Sequence, residues 1–160
     1  MALLEVEDLK VHYPVRGGLF RPKRFVRAVD GVSFRMEPGE TVGLVGESGC
    51  GKSTLGKALV RLEKPAAGRV LLNGLDMSTL RGRELRRARK NFQMIFQDPY
   101  ASLNPRWKVG RIVAEPIIAQ KVIKDPKEIE NRVNSVLHLV NLSKEDKDKY
   151  PHQFSGGQRQ

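Results

Sequence analysis

Several features common in proteins are rare or missing in this chain. Its 160 residues include one cysteine, Cys50, which excludes an intramolecular disulfide and any metal site built from cysteines. No stretch approaches the roughly 18 to 20 continuous apolar residues of a membrane span, and the acidic N-terminal residues do not fit a signal peptide. Hydrophobic residues still make up 39% of the chain, enough for a folded core. We therefore expect a globular protein of the reducing cytosol.

Acidic residues are scarce relative to basic ones. The chain has 29 lysines and arginines against 18 aspartates and glutamates, a formal net charge of +11. The excess is concentrated at 16–27, with five basic and no acidic residues, and at 81–90, with six basic and one acidic residue. This balance indicates an anionic partner: a nucleotide, a nucleic acid or an anionic membrane surface. Each run is also typical of a solvated face, so charge alone does not choose among these.

The strongest local pattern is the glycine-rich stretch GESGCGKST at residues 46–54. It fits the phosphate-binding pattern G-x-x-x-x-G-K-[ST] without a mismatch. The apolar residues at 41–46 predict a buried strand before it, and the following pattern predicts a helix over 52–63. The helical spacing is carried by Leu55, Ala58, Leu59 and Leu62. Strand, loop and helix in this order are the setting in which the pattern binds phosphate.

Each residue type in the loop suits a phosphate ligand. Gly46, Gly49 and Gly51 let the backbone curl so that successive N–H groups form a cradle, to which the helix start adds its positive dipole end. Lys52 can reach the outer phosphates of a nucleotide, while the Ser53 hydroxyl can bind Mg²⁺, a hard ion that prefers oxygen. We therefore predict a nucleotide-binding loop.

The other loop positions complete the predicted nucleotide-binding segment: Glu47, Ser48, Cys50 and Thr54. Thr54 is also typical of a helix start. No histidine or other base is placed to activate the Cys50 thiol, so we interpret this residue as a bystander and not as a nucleophile.

The rest of the pattern predicts an α/β part followed by a helical part. Strands are expected at 3–13, 32–37, 68–74 and 92–96. Helices are expected at 82–90, 109–120 and 125–142. The last of these has Asp125 as its N-cap and Pro126 at its first position. We predict a nucleotide-binding α/β core at 1–98 and a helical subdomain at 99–160.

With these motifs placed, the chain resembles the ATP-binding subunit of an ABC transporter. The resemblance rests on the loop at 46–54, on Gln97 in FQMIFQDP, which matches the Q-loop glutamine, and on FSGGQRQ at 154–160. The last stretch is similar to the family's signature LSGGQ, with Phe154 in place of leucine. The resemblance covers essentially the whole chain. It implies an α/β fold: a P-loop NTPase core with an antiparallel β part near the N-terminus and a helical subdomain.

Two stretches are similar to the subfamily that powers import of dipeptides and oligopeptides, or of nickel in some members. These are VGESGCGKSTLGKAL and QDPYASLNPRWKV. The resemblance implies a peripheral protein at the cytoplasmic face of the cell membrane, bound to integral membrane permease subunits. The segment from Asp98 to Val109 would lie near a coupling helix of such a partner. A separate substrate-binding protein and the membrane subunits would read the cargo.

The resemblance also implies roles for single residues. Gln97 would sense the γ-phosphate, Mg²⁺ and the attacking water. Tyr13 matches the aromatic residue that stacks on the adenine of ATP, since a π face binds a purine with little demand for hydrogen bonds. Phe25 is a competing candidate for the adenine contact, and burial in the core is an alternative for both aromatic residues.

The signature residues are implied to act in trans. Ser155, a good N-cap, and the following Gly156, Gly157 and Gln158 would face the γ-phosphate of ATP held by a second ATP-binding subunit in a head-to-tail dimer. The resemblance further implies an apolar strand ending in Asp-Glu and a switch histidine, which we do not find; Asp98 is interpreted as part of the Q-loop. We therefore expect a fold that is incomplete at the C-terminus and no ATP turnover by these 160 residues alone.

Two other functions fit parts of the pattern. One is a fragment or regulatory module that binds nucleotide without hydrolysing it. The other is a nucleic-acid-associated ATPase of the same superfamily, which the net charge of +11 would suit. The basic runs lack interleaved stacking aromatics, and SLNPR indicates a membrane partner, so we predict no specific nucleic-acid partner.

Overall fold

The computed structural model describes residues 2–15, 24–96, 98 and 102–159. The chain divides into two compact units, Met1–Met94 and Ile95–Gln160. Among the described residues, no helix combines the length and the apolar character that a bilayer crossing needs. Gln97 lies outside the described residues.

The first unit is built on one antiparallel sheet of four strands in the order β2-β1-β3-β4. The strands are β1 (Leu4–Val15), β2 (Arg24–Met36), β3 (Ala67–Leu72) and β4 (Leu75–Asp76). The strands predicted at 3–13, 32–37 and 68–74 are therefore confirmed. β2 starts earlier than predicted because its pairing with β1 continues to the pair Val15 and Arg24.

The described part of the first unit also contains the helices α1 (Lys52–Leu59) and α2 (Gly82–Ala88), and a 3-10 turn at Arg89–Asn91 follows α2. Side chains from the sheet and from the apolar side of α1 form one core, to which Met77 after β4 and Ala88 of α2 also belong. The buried members are Val6, Leu9, Val11, Val29, Leu55, Ala58, Val70, Met77 and Ala88. Burial of Leu55 and Ala58 fixes α1 against the sheet, and with it the loop that precedes α1.

Two predicted strands are wrong. Residues 41–46 and 92–96 have no regular secondary structure, and several of their apolar side chains are exposed: Val45 is 93% exposed and Ile95 is 90% exposed, whereas Phe92 is partly buried against the core. A buried strand needs neighbouring strands to satisfy its N–H and C=O groups. In the described part of the chain, strand pairing is confined to β1 to β4, so neither segment has such a neighbour.

α1 is shorter than predicted, since it ends at Leu59 and not at residue 63. Arg61 has a φ of +57°, which does not continue a right-handed helix. Its side chain donates to the backbone oxygens of Met77 at 2.9 Å and Leu80 at 3.3 Å. These tertiary contacts accompany the end of the helix and leave Leu62 exposed.

The second unit is helical. The helices whose bounds lie within the described residues are α3 (Val109–Ala119), α4 (Pro126–Leu139) and α5 (Gly156–Arg159), with 3-10 turns at Lys144–Asp148 and Pro151–Gln153. The helices predicted at 109–120 and 125–142 are confirmed. Asp125 caps α4 as predicted, because its carboxylate accepts from the backbone N–H groups of Lys127 and Glu128. Ala114, Val133 and Leu137 form the core of the unit.

Candidate functional site

The glycine-rich stretch at 46–54 follows the apolar residues 41–46 and includes the start of α1 at Lys52. Gly49 and Gly51 have φ values of +83° and +98°, in the left-handed region that favours glycine. Gly51 also packs against β2, since a Cβ at this position would lie 2.1 Å from the backbone oxygen of Ala28. This path of the loop therefore requires glycine at position 51.

Lys52 folds back over the loop that precedes it. Its Nζ donates to the backbone oxygens of Gly46 at 2.7 Å and Glu47 at 2.6 Å. The same atom lies 3.6 Å from the Sγ of Cys50. The ammonium is thus held inside the curve of the loop, where an anionic ligand would meet a positive charge. The structure places Cys50 at the surface beside this ammonium.

The start of α1 adds further groups that favour an anion. The helix begins at Lys52, and its first turn contains no acidic residue. The first N–H groups of a helix have no partner within the helix and carry the positive end of its dipole. Ser53 is exposed at this end, so its hydroxyl is accessible. The ammonium and amide donors suit the phosphates of a nucleotide. The hydroxyl oxygen of Ser53 can be a ligand of a cation that is bound together with them.

The two candidate aromatic residues lie on adjacent rungs of the β1–β2 ladder. Tyr13 pairs with Val26, and Phe25 pairs with Pro14. Tyr13 is 37% exposed and Phe25 is 54% exposed. Burial in the core, one of the alternatives from the sequence, is therefore wrong for both residues. Either ring is accessible to a ligand, and the choice between them stays a prediction.

A charged cluster beside the loop was missed by the sequence reasoning. Arg27 Nη1 donates to Asp30 Oδ2 at 3.2 Å, and His12 Nε2 lies 3.2 Å from Asp30 Oδ1. The hydrogen bond with His12, followed by that from Arg27, lowers the pKa of Asp30 below its ordinary value. The cluster depends on the cross-strand pairing of His12 with Arg27. Arg27 and Asp30 lie three residues apart on β2, but only the strand register brings His12 to them, so no local motif includes all three.

The signature residues lie in the second unit. The backbone N–H of Ser155 donates to Gln158 Oε1 at 3.0 Å, and the Gln158 N–H donates to Ser155 Oγ at 3.4 Å. Ser155 thus starts α5 in the way a helix N-cap does. A Cβ added to Gly156 or Gly157 would meet nothing within 4 Å. Phe154 is buried, so it anchors an otherwise exposed segment.

Ser53 and Gln97 are the two predicted ligands of Mg²⁺, and Gln97 lies outside the described residues. Ser53 is described and exposed at the start of α1. Within the described ranges, no group of three or more histidine, cysteine, aspartate or glutamate side chains could hold a metal ion. Asp98 is exposed, and its backbone oxygen accepts from Ser102 Oγ at 2.7 Å.

The antiparallel sheet, the glycine loop and the helix that follows place this chain in the class of phosphate-loop proteins. A profile of the family described as ABC transporter matches residues 29–160. The chain belongs to the ABC transporter family.

Two bacterial transport ATP-binding proteins share nearly half of their aligned residues with this chain. The oligopeptide transport ATP-binding protein AppF of Bacillus subtilis is 49% identical over 160 residues, which cover 99% of this chain and 48% of that protein. The dipeptide transport ATP-binding protein DppF of Escherichia coli is 47% identical over 158 residues, with coverage of 99% and 47%. The chain therefore spans about half the length of these relatives.

Solved structures with the same fold include the dimeric ATP-binding cassette MJ0796 in a post-hydrolysis state bound to ADP and Pi. It matches with a TM-score of 0.79 and 25% identity, over 98% of this chain and 65% of that one. The protein cbiO1 of Clostridium perfringens, part of the ABC transporter complex cbiONQ, matches with a TM-score of 0.71 and 26% identity, over 99% and 57%. The predicted fold class is confirmed.

Proposed function

We propose that this chain is part of the ATP-binding subunit of an ABC importer for dipeptides or oligopeptides, and that it couples ATP binding and hydrolysis to transport. The observation that carries the proposal is the loop at 46–54, whose glycines and Lys52 ammonium make a phosphate cradle at the start of α1. The relatives named for oligopeptide and dipeptide transport support peptide over nickel as cargo. A relative named as a glutathione import ATP-binding protein, from Pectobacterium atrosepticum, is 47% identical.

The nucleotide is proposed to lie along the loop. Backbone N–H groups of the loop and the first turn of α1 bind the phosphates, and Lys52 neutralises the charge of the outer ones. Tyr13 is proposed to stack on the adenine, where its exposed ring on β1 is accessible; Phe25 is the competing candidate. The loop residues that take part are Gly46, Glu47, Ser48, Gly49, Cys50, Gly51, Lys52, Ser53 and Thr54.

Mg²⁺ is proposed to bind together with the nucleotide, since this ion prefers oxygen ligands and usually combines a few protein oxygens with phosphates and waters. Ser53 and Gln97 are the proposed protein ligands. When bound, the ion would offset negative charge on the transferred phosphoryl group. Gln97 is also proposed to sense the γ-phosphate and the water that attacks it.

The partners are proposed from the family and the exposed signature. Ser155 to Gln158, which are exposed, would face ATP held by a second ATP-binding subunit in a head-to-tail dimer. Integral membrane permease subunits would hold the protein at the cytoplasmic face of the membrane, and a substrate-binding protein would take part indirectly. We propose that the α/β core at 1–98 binds the nucleotide. The helical subdomain at 99–160 is proposed to carry the signature and to contact the permease subunits.

Two alternatives give different outcomes in solution. If the protein is a regulatory module, the intact protein would bind ATP but would not hydrolyse it. A nucleic-acid-associated ATPase would bind DNA or RNA tightly at physiological salt. The basic runs of this chain favour only weak, sequence-independent binding that fades as salt rises.

The proposed site is tested by removing the loop ammonium. Lys52→Ala should weaken ATP binding to the intact protein by about ten- to a hundredfold, because one or two charge-assisted hydrogen bonds to phosphate are lost. Lys57→Ala is the matched control, since Lys57 carries the same charge at the other end of α1. Calorimetric titration with Mg-ATP measures both. Equal affinities for Lys52→Ala and Lys57→Ala would refute the site.

A further inference from the structure

Arg27 places a second cation beside the glycine-rich loop. It lines a cavity of about 390 Å³ together with Gly51, Lys52 and Leu55. The Arg27 side chain is 70% exposed, so a ligand can reach it. The phosphate-binding pattern does not include this residue, because Arg27 lies on β2, far from the loop in sequence. An anion in the cavity would therefore meet two positive side chains and not one.

The Arg27 guanidinium is held in place on one side. Its Nη1 donates to Asp30 Oδ2 at 3.2 Å, while the other oxygen of Asp30 lies 3.2 Å from His12 Nε2. This contact uses one of the five N–H donors of a guanidinium. An arginine fixed by a carboxylate loses less rotamer entropy when its other donors bind a ligand. The arrangement orients Arg27 without covering it.

The position of Arg27 along β2 indicates which part of a nucleotide it would meet. Its neighbour Val26 pairs with Tyr13 on β1. Its other neighbour, Ala28, has the backbone oxygen that contacts Gly51 of the loop. The backbone of Arg27 therefore lies between the rung that carries Tyr13 and the phosphate loop. Because neighbouring residues of a strand point to opposite faces, the Arg27 side chain shares its face with Phe25, the competing adenine candidate, and not with Val26 and Tyr13. A nucleotide that extends from Phe25 to Lys52 would bring its ribose and α-phosphate past this side chain.

We propose that Arg27 binds the α-phosphate of the nucleotide and that Asp30 positions its guanidinium. This assignment rests on the proposed function of the loop. Guanidinium groups suit phosphate because two of their N–H groups can donate to two oxygens of one phosphate. The α-phosphate is common to ATP and ADP, so Arg27 contributes equally to the binding of both. Lys52, which is proposed to neutralise the outer phosphates, would contribute more to the binding of ATP than to that of ADP.

The test is calorimetric titration of the intact protein with ATP and with ADP. Arg27→Ala should lower both affinities by a similar factor of about ten, the size expected when a charge-assisted contact to phosphate is lost. Arg27→Gln keeps a side chain of similar length and should show nearly the same loss, whereas Arg27→Lys should recover part of it. Arg35→Ala is the matched control: Arg35 is exposed on the same strand and paired with Glu5, and it does not line the cavity.

Three results would overturn the assignment: unchanged affinities in both Arg27→Ala and Arg27→Gln, a loss for ATP alone, or an equal loss in Arg35→Ala. Lys52→Ala, measured beside them, separates this proposal from the function of the site. If Lys52→Ala binds ATP normally, the proposed loop function fails. If Lys52→Ala loses ATP binding while the Arg27 variants keep it, only the role of Arg27 fails.

Discussion

Gly51 is the residue at which the loop, α1 and β2 meet. The phosphate-binding pattern predicts a glycine here because successive N–H groups must turn toward one anion. The structure adds a second reason, since the backbone oxygen of Ala28 occupies the space that a side chain would need. That contact joins segments far apart in sequence. The motif therefore predicts the residue type, while the packing that also demands it depends on the fold.

Gly51→Ala should destabilise the protein by about 2 kcal/mol or more. Alanine is strained in the left-handed backbone conformation, and its Cβ would also clash with the backbone oxygen of Ala28. Gly39→Ala is the matched control: Gly39 has a φ of +80°, but a Cβ there would meet nothing within 4 Å. It should lose only the backbone part, about 1 kcal/mol. Urea unfolding measures both variants. Equal losses would show that the loop does not pack against β2.

Secondary-structure elements differ in how far the sequence determines them. α3 and α4 are predicted well because their signals are local: a helical apolar stripe in each, and Asp125 with Pro126 at the start of α4. The segments 41–46 and 92–96 are predicted wrongly. Their apolar patterns indicate a preference for burial, but strand formation also needs a neighbouring strand, and pairing partners are not encoded locally.

The 3-10 turn at Lys144–Asp148 is stabilised by a buried carboxylate. Asp146 accepts from the backbone N–H of Ser143 at 2.8 Å and pairs with Lys149 at 2.7 Å. The hydrogen bond from Lys149, then that from Ser143, lowers the pKa of Asp146 below its ordinary value of 3.8. A lowered folded-state pKa stabilises the protein above the unfolded-state pKa, and this stabilisation is lost as the pH falls through the folded-state value.

Asp146→Asn should therefore lose stability at neutral pH and show a weaker fall in stability than the natural protein between about pH 5 and about pH 2. Urea unfolding across this range measures the free energy of unfolding for both. Asp148→Asn is the control, because Asp148 is exposed and pairs with Lys108 at 3.2 Å. Other carboxylates affect all variants alike, so the comparison isolates Asp146. Parallel pH profiles for the natural protein and Asp146→Asn would contradict the assignment.

Across the chain, the motifs predict more of the nucleotide-binding site than of the structure around it. The loop, the signature and their order in the chain follow from short patterns, whereas the cluster of Arg27, Asp30 and His12 depends on strand register. The apolar side chains of 41–46 and those of Ile95 and Phe96 are exposed in the described structure. Patterning identifies such residues as apolar, but what covers them depends on the rest of the fold.

Hydrolysis of ATP depends on several groups that act together. Phosphoryl transfer to water needs a metal held in place, a group that orients the water and compensation of charge on the γ-phosphate. Residues 1–160 supply Lys52, Ser53 and Gln97 as the proposed groups, and no Asp-Glu pair occurs in their sequence. A second copy arranged head to tail would add another signature and still no such glutamate. Loss of a general base typically slows a reaction by about 10² to 10⁴.

Residues 1–160 alone should therefore show no steady-state ATP turnover above the level of Lys52→Ala. A longer version that extends through an Asp-Glu strand and a switch histidine should hydrolyse ATP at least about a hundredfold faster, because it regains the base. Phosphate release at saturating Mg-ATP measures both, and calorimetric ATP binding by both proteins serves as the folding control. Comparable turnover by the two versions would mean that a carboxylate within residues 1–160 already acts as the base, and Asp98 would be the first to substitute.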